Sequence, residues 1–295
     1  MNTSSTSNLL RSGPSQWQQR DRLTLPVPAL RQVAHTLRRQ VIELVRRHGQ
    51  GYVQQGLGAA EIFAALYFNE ARIDPADARW EERDRCILST AHNSALFHAV
   101  LALRGMIPTA SLDDYVKDGS ALEINVSERL GPVVEGTFGS LGQGMSVAAG
   151  MALASRIRGI PYRVNVVLGD GELEEGQVWE AAMLAGSQGL HNLCVVLDLN
   201  WMQVEGHTDS VLRLNPIADK WRAFNWQVIE VDGHDLEALL AAFAAARGQA
   251  ARPTMIVATT VPGKGVSLLE GVISHNAKLP ADVADAALLE LGETA

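Results

Sequence analysis

Two apolar, β-branched runs constrain the fold of this chain more than any other feature: Arg163-Val-Asn-Val-Val-Leu-Gly-Asp-Gly171 and Asn192-Leu-Cys-Val-Val-Leu-Asp-Leu-Asn200. Neither alternates apolar with polar residues, so each reads as a parallel strand buried on both faces. Each stops at a polar turn. Ligands of open α/β sheets sit beyond the carboxyl ends of the strands, so Asp170 and Asn200 are expected to project side by side into one crevice. A carboxylate, an amide oxygen and a nearby backbone carbonyl would form a hard, oxygen-rich site suited to Mg²⁺.

Around these runs the hydrophobic periodicity switches repeatedly. From Pro28, apolar residues at 30, 33, 34, 37, 41, 44 and 45 recur at helical spacing. A glycine-rich turn is expected from Gly49 to Gly58, then a helix from Gly58 to Phe68 and a short buried strand from Arg85 to Ser89. A helix from Ala95 to Arg104 ends at Gly105, a residue suited to the left-handed cap. Residues 111 to 135 are irregular and polar, and long enough for a functional loop. Beyond Arg163, strands at 163–168, 193–199, 227–231 and 254–260 alternate with helices at 175–188, 216–224 and 236–246. Such alternation implies an α/β fold, a mostly parallel sheet with helices on both faces. Residues 1–28 read as a disordered or extended tail, and 29–295 as one domain.

Composition excludes several classes of function. The net charge of −8 argues against nucleic acid as the main partner, because phosphate binding draws on clustered Lys and Arg. The longest apolar stretches fall short of the roughly twenty residues that a membrane span needs. Cys86 and Cys194 lie inside strand-like runs without metal-ligand spacing, as small core residues in a reducing compartment would, so a cytoplasmic location is expected.

The motifs carry a resemblance. Gly169-Asp170-Gly171, followed by Glu175, Glu180 and the distant Asn200, resembles the thiamine-diphosphate motif in its transketolase form. Gly139-Ser140-Leu141-Gly142-Gln143-Gly144 is similar to the transketolase segment that contacts the aminopyrimidine end of the cofactor. The resemblance implies a thiamine-diphosphate-binding fold in which Asp170 and Asn200 by side chain, and Met202 by its carbonyl, ligate Mg²⁺, with Ca²⁺ or Mn²⁺ able to substitute. Gly171 N–H, read as lying at a helix amino terminus, would face the diphosphate. Glu175 is expected to act in an acidic network across a subunit interface, with Glu180 a weaker candidate. The plainer reading is a solvated acidic helix start, since Glu172, Glu174 and Glu175 also suit the helix dipole.

The histidines match unevenly. Ser89-Thr-Ala-His92 resembles the family's Ser-x-Gly-His, whose His touches cofactor and donor sugar, although Ala91 replaces the glycine. His275 falls where another active-site His is expected, after the loop from Thr260 to Val266. Imidazole can serve as acid or base near neutral pH, so both suit proton transfer around sugar hydroxyls. Two further histidines of the family are replaced, by Tyr52 and by Asn125. Both can hydrogen-bond a hydroxyl, but neither shuttles protons as imidazole does, so a donor other than the standard pentose phosphates is expected.

The resemblance covers about residues 30 to 285 and matches only the diphosphate-binding half of the family. It therefore implies a partner chain with the pyrimidine-binding domain and its activating Glu, in an α₂β₂ assembly. The implied activity is transfer of a two-carbon ketol unit from a ketose to an aldehyde. The alternatives are the α subunit of a 2-oxo acid dehydrogenase, which shares the Gly-Asp-Gly and Asn pattern, and a non-catalytic cofactor-binding subunit.

Overall fold

The computed structural model describes residues 20–275 and 278–293, and most of the expected tail lies outside them. Within that range Asp21–Arg22 pairs antiparallel with Arg72–Ile73. The first long helix, α1, spans Val27–His48 and ends at Gly49 in the left-handed conformation with its N–H on the Val45 carbonyl.

The centre is a five-stranded sheet of β1 (Arg85–Leu88), β2 (Val164–Gly169), β3 (Leu193–Leu199), β4 (Gln227–Asp232) and β5 (Thr254–Thr259), in spatial order β1-β2-β3-β5-β4. All four pairings are parallel. The two runs that mark the sequence are thus neighbours, β2 and β3, each buried along its whole length.

Period-two alternation feeds two cores. Cys86, Leu88, Val167, Cys194, Val196, Ile256 and Ala258 face the larger core, which includes residues of α1 and of the helix Ser94–Arg104. Ile87, Val166, Leu168, Val195, Leu197, Met255 and Val257 face the second, with Ala148, Ala152, Val178 and Ala182 from the helices Gln143–Arg158 and Gly176–Ser187. Burial of both faces explains why these strands are continuously apolar. Among the described residues, no helix is long and apolar enough to cross a membrane.

Four local features differ from the sequence reading. The expected turn at 49–58 contains a helix, Val53–Gly58, whose residues are all buried; tertiary packing, with Gly56 against Val41, outweighs the turn preference of its glycines. The segment after Gly169 is a 3₁₀ turn, Asp170–Glu174, and the α-helix begins only at Gly176 with Glu175 as its N-cap. Gly171 therefore lies inside a tight turn rather than at the start of an α-helix. A short ribbon, Met202–Gln203 with Gly206–His207, and a helix at Ala281–Glu293 complete the chain.

Candidate functional site

The β2–β3 register sets Gly169 beside Asp198, which places Asp170 and Asn200 at adjoining strand ends. The loop after Asn200 folds back over them. The Thr208 hydroxyl donates to Asp170 Oδ2 at 3.1 Å, and Thr208 N–H donates to the Trp201 carbonyl. Asp170 is 1% exposed, and its Oδ1 has no hydrogen-bond partner. Burial first, then the nearby Asp198 carboxylate, push its pKa up to about 8. A buried carboxylate oxygen without a donor is costly unless a cation or proton meets it.

Asn200 is oriented by two bonds. Its Nδ2 donates to Asp198 Oδ2 at 3.1 Å, and its Oδ1 accepts from Met202 N–H at 2.9 Å. With the amide nitrogen committed to Asp198, the oxygen keeps a second lone pair for a ligand. Asp198 is itself buried and accepts from the Thr260 hydroxyl; burial above all raises its pKa to about 6. An acid oxygen, an amide oxygen and the adjacent backbone form a hard donor set that fits a small divalent cation. No group of three His, Cys, Asp or Glu that could hold a metal occurs among the described residues, so the fit rests on mixed oxygen donors.

The glycine-rich segment meets this turn through Glu172, whose position in the sequence suggests a surface acid. Glu172 is 1% exposed and accepts three hydrogen bonds: from Ser89 Oγ at 2.6 Å, Gly142 N–H at 2.9 Å and Gly169 N–H at 3.0 Å. It is no solvated helix start. Burial raises its pKa while the three donors oppose the rise. The carboxylate thus joins the end of β1, the glycine loop and the Gly-Asp-Gly turn. Gly142 has φ +82°, a conformation costly for other residues, and a Cβ on Gly144 would lie 2.5 Å from Ser89 Oγ. Gly139 and Ser140 are exposed and Leu141 half-buried, with Gln177 Nε2 donating to the Leu141 carbonyl at 2.7 Å.

The rings gather above the turn. A Cβ on Gly169 would lie 4.0 Å from His92 Cε1, so His92 overlooks the Gly169-Asp170-Gly171 turn. Ring centroids are 5.1 Å apart for His92 and His275, 5.6 Å for Tyr52 and His92, and 5.2 Å for Tyr52 and His275. All three side chains are half-buried. Burial first, then His275, push the His92 pKa down to about 3, so His92 is neutral at pH 7 and can act as acceptor or donor but not as a cation. The Tyr52 replacement therefore sits inside the ring cluster. Asn125 does not: it is exposed and lines a separate cavity of about 410 Å³ with Gln50, Lys117 and Arg129. Glu175 is exposed, its Cβ 3.1 Å from where a Cβ of Gly142 would be, and Glu180 is exposed one turn on; neither reaches the histidines by a hydrogen bond.

The oxygen site, the glycine loop and the ring cluster thus adjoin one another around the Gly169-Asp170-Gly171 turn. Residues 30–294 match the transketolase thiamine diphosphate binding domain. The chain belongs to the transketolase family. It is 41% identical to the 6-deoxy-6-sulfo-D-fructose transketolase subunit of a Clostridium species over 89% of this chain and 96% of that one. With an apulose-4-phosphate transketolase subunit of Phocaeicola vulgatus the identity is 32%, over 87% and 91% of the two chains. The solved transketolase of Campylobacter jejuni superposes with a TM-score of 0.86 at 29% identity, covering 91% of this chain and 43% of that one. The chain therefore spans most of the length of these transketolase subunits and less than half of that solved transketolase. Glu172 and Asp198 escape a reading of the sequence because both look like ordinary turn or strand-end acids; only the fold shows which donors converge on them.

Proposed function

We propose that this chain is the diphosphate-binding subunit of a two-chain, thiamine-diphosphate- and Mg²⁺-dependent transferase that moves a two-carbon ketol unit from a ketose to an aldehyde. The observation that carries the proposal is the unpartnered, buried Oδ1 of Asp170 beside the oriented amide of Asn200. Asp170, Asn200 and the Met202 carbonyl would hold the metal, and the metal would hold the diphosphate. Thiamine diphosphate, when bound, supplies the nucleophilic carbon of its thiazolium ring.

The chain's own residues position and shield. Glu172 keeps the loop from Gly139 to Gly144 closed on the turn, and Gly171, Gly139, Ser140 and Leu141 offer close backbone approach to the cofactor. His275 is placed to exchange protons with the donor's hydroxyls and the neutral His92 to hydrogen-bond them, and the exposed Glu175 is available to a partner surface. Tyr52 presents a phenol where the family has an imidazole, which supports a donor other than pentose phosphates. Relatives named for 6-deoxy-6-sulfo-D-fructose and for apulose-4-phosphate support a ketose ending in an acidic group.

The partner would bring the pyrimidine-binding domain and the activating Glu, in an α₂β₂ assembly in the cytoplasm. Reconstitution with that chain, thiamine diphosphate and Mg²⁺ should transfer a two-carbon unit from a ketose to an aldehyde. Decarboxylation of pyruvate without ketol transfer would favour a 2-oxo acid dehydrogenase subunit, and no cofactor-dependent turnover would favour a non-catalytic one.

A further inference from the structure

A buried polar cluster outside the site reaches it through one loop. Arg38 of α1 donates from Nη1 and Nη2 to Glu61 Oε1 and Oε2 at 2.7 and 2.6 Å, and from Nε to the Leu57 carbonyl at 3.0 Å. His234, just past the end of β4, contacts Glu61 Oε2 through Nδ1 at 3.0 Å and accepts the Val261 N–H on Nε2 at 2.9 Å. An imidazole nitrogen that accepts an N–H carries no proton, so Nδ1 bears the hydrogen and donates to Glu61. The relay therefore runs in one direction with every partner satisfied.

Both ends of the relay bear on the ring cluster. Leu57 belongs to the helix Val53–Gly58, which has Tyr52 at its N-cap and carries Gln54 and Gln55. The Gln54 carbonyl accepts from Gly263 N–H at 2.9 Å, and Gln55 Nε2 donates to the His275 carbonyl at 3.2 Å. Val261 begins the stretch that leads to His275. Its neighbour Thr260 donates its hydroxyl to Asp198, which orients Asn200. One peptide, 260–261, is thus fixed on one side by the oxygen site and on the other by His234.

We infer that His234, held by Glu61 and Arg38, is a positioning residue: it sets the 261–275 loop, and with it the separation of His275 from Tyr52 and His92. None of the three relay residues is in the ring cluster or the oxygen site. The inference rests on the functional reading for the role of His275, but the placement of the loop does not.

The test uses the full chain, alone and with its partner. In H234A, amide hydrogen exchange over 261–275 should quicken by about tenfold or more while strand 164–169 stays protected, because the loss is local. Gln can accept from Val261 N–H and donate to Glu61 at once, so H234Q should restore protection; Asn is too short to span both, and H234N substitutes for H234A if the alanine variant does not fold. In the reconstituted enzyme, H234A should lower kcat/KM for the ketose about 10- to 100-fold, the scale of a misplaced site group, with thiamine diphosphate affinity within about twofold. Unchanged exchange over 261–275 in H234A and H234N overturns the inference, as does loss of turnover matched by equal loss of cofactor affinity. If wild type shows no ketol transfer, the functional reading fails and the exchange experiment alone decides the relay.

Discussion

Removing the Glu172 carboxylate should loosen the site in a graded way that follows from its three bonds. In E172A the buried N–H groups of Gly142 and Gly169 lose their acceptor, while the Ser89 hydroxyl can rotate to another partner. An orphaned buried donor costs about 1–3 kcal/mol, so the two cost about 2–6 kcal/mol, partly offset by relief from burying a charge. E172Q is milder. Its carbonyl can take the place of Oε1, which accepts from Ser89 and Gly142, leaving its NH₂ against the Gly169 N–H. One orphan then costs about 1–3 kcal/mol. Urea unfolding followed by tryptophan fluorescence should rank wild type above E172Q and E172A last, with thiamine diphosphate affinity falling in the same order as the Gly139–Gly144 loop loosens. An alanine variant as stable as wild type, or a glutamine variant less stable than alanine, would refute the idea that the three donors depend on this carboxylate.

Other perturbations probe separate parts of the account. Burial opposes ionisation of Glu61, yet the hydrogen bonds from His234 and Arg38 and the charge of Arg38 overcome it and hold its pKa below the ordinary 4.5. Its contribution is therefore full above that value and lost as pH falls through the lowered one. E61Q should cost about 3–5 kcal/mol at pH 7, as for a broken buried pair, with the gap from wild type closing below about pH 4.5; a gap that widens in acid would reverse the sign. G144A should lower stability by about 1–3 kcal/mol through overpacking, since the added methyl meets Ser89 at both side chain and backbone; an unchanged Tm would show that β1 yields freely. Y52H should raise kcat/KM for pentose phosphate donors relative to the native donor, and an unchanged ratio would remove Tyr52 from donor selection.

How much of the fold and site is legible in the sequence depends on the range of each signal. The sheet is legible because β2 and β3 are buried on both faces and so carry continuous apolar runs that no surface element tolerates. Asp170 and Asn200 can be paired because strand ends in a parallel sheet share one edge. The helix at 53–58 is not legible: glycine spacing there signals a turn, and the deciding contact with Val41 is tertiary. Glu172 reads as solvated for the same reason, since two of its three donors, Ser89 and Gly142, come from distant segments of the chain. The gathering of Tyr52, His92 and His275 follows from resemblance, and the register of the sheet cannot be read for residues that lie on loops.

Calorimetry of thiamine diphosphate binding, with and without Mg²⁺, in wild type and D170A complexed with the partner chain, tests the central claim most directly. The account predicts that wild type binds only when Mg²⁺ is present and that D170A gives no metal-dependent heat, because the carboxylate oxygen that lacks a protein donor is the metal's anchor. Equal, metal-dependent binding by D170A would contradict it.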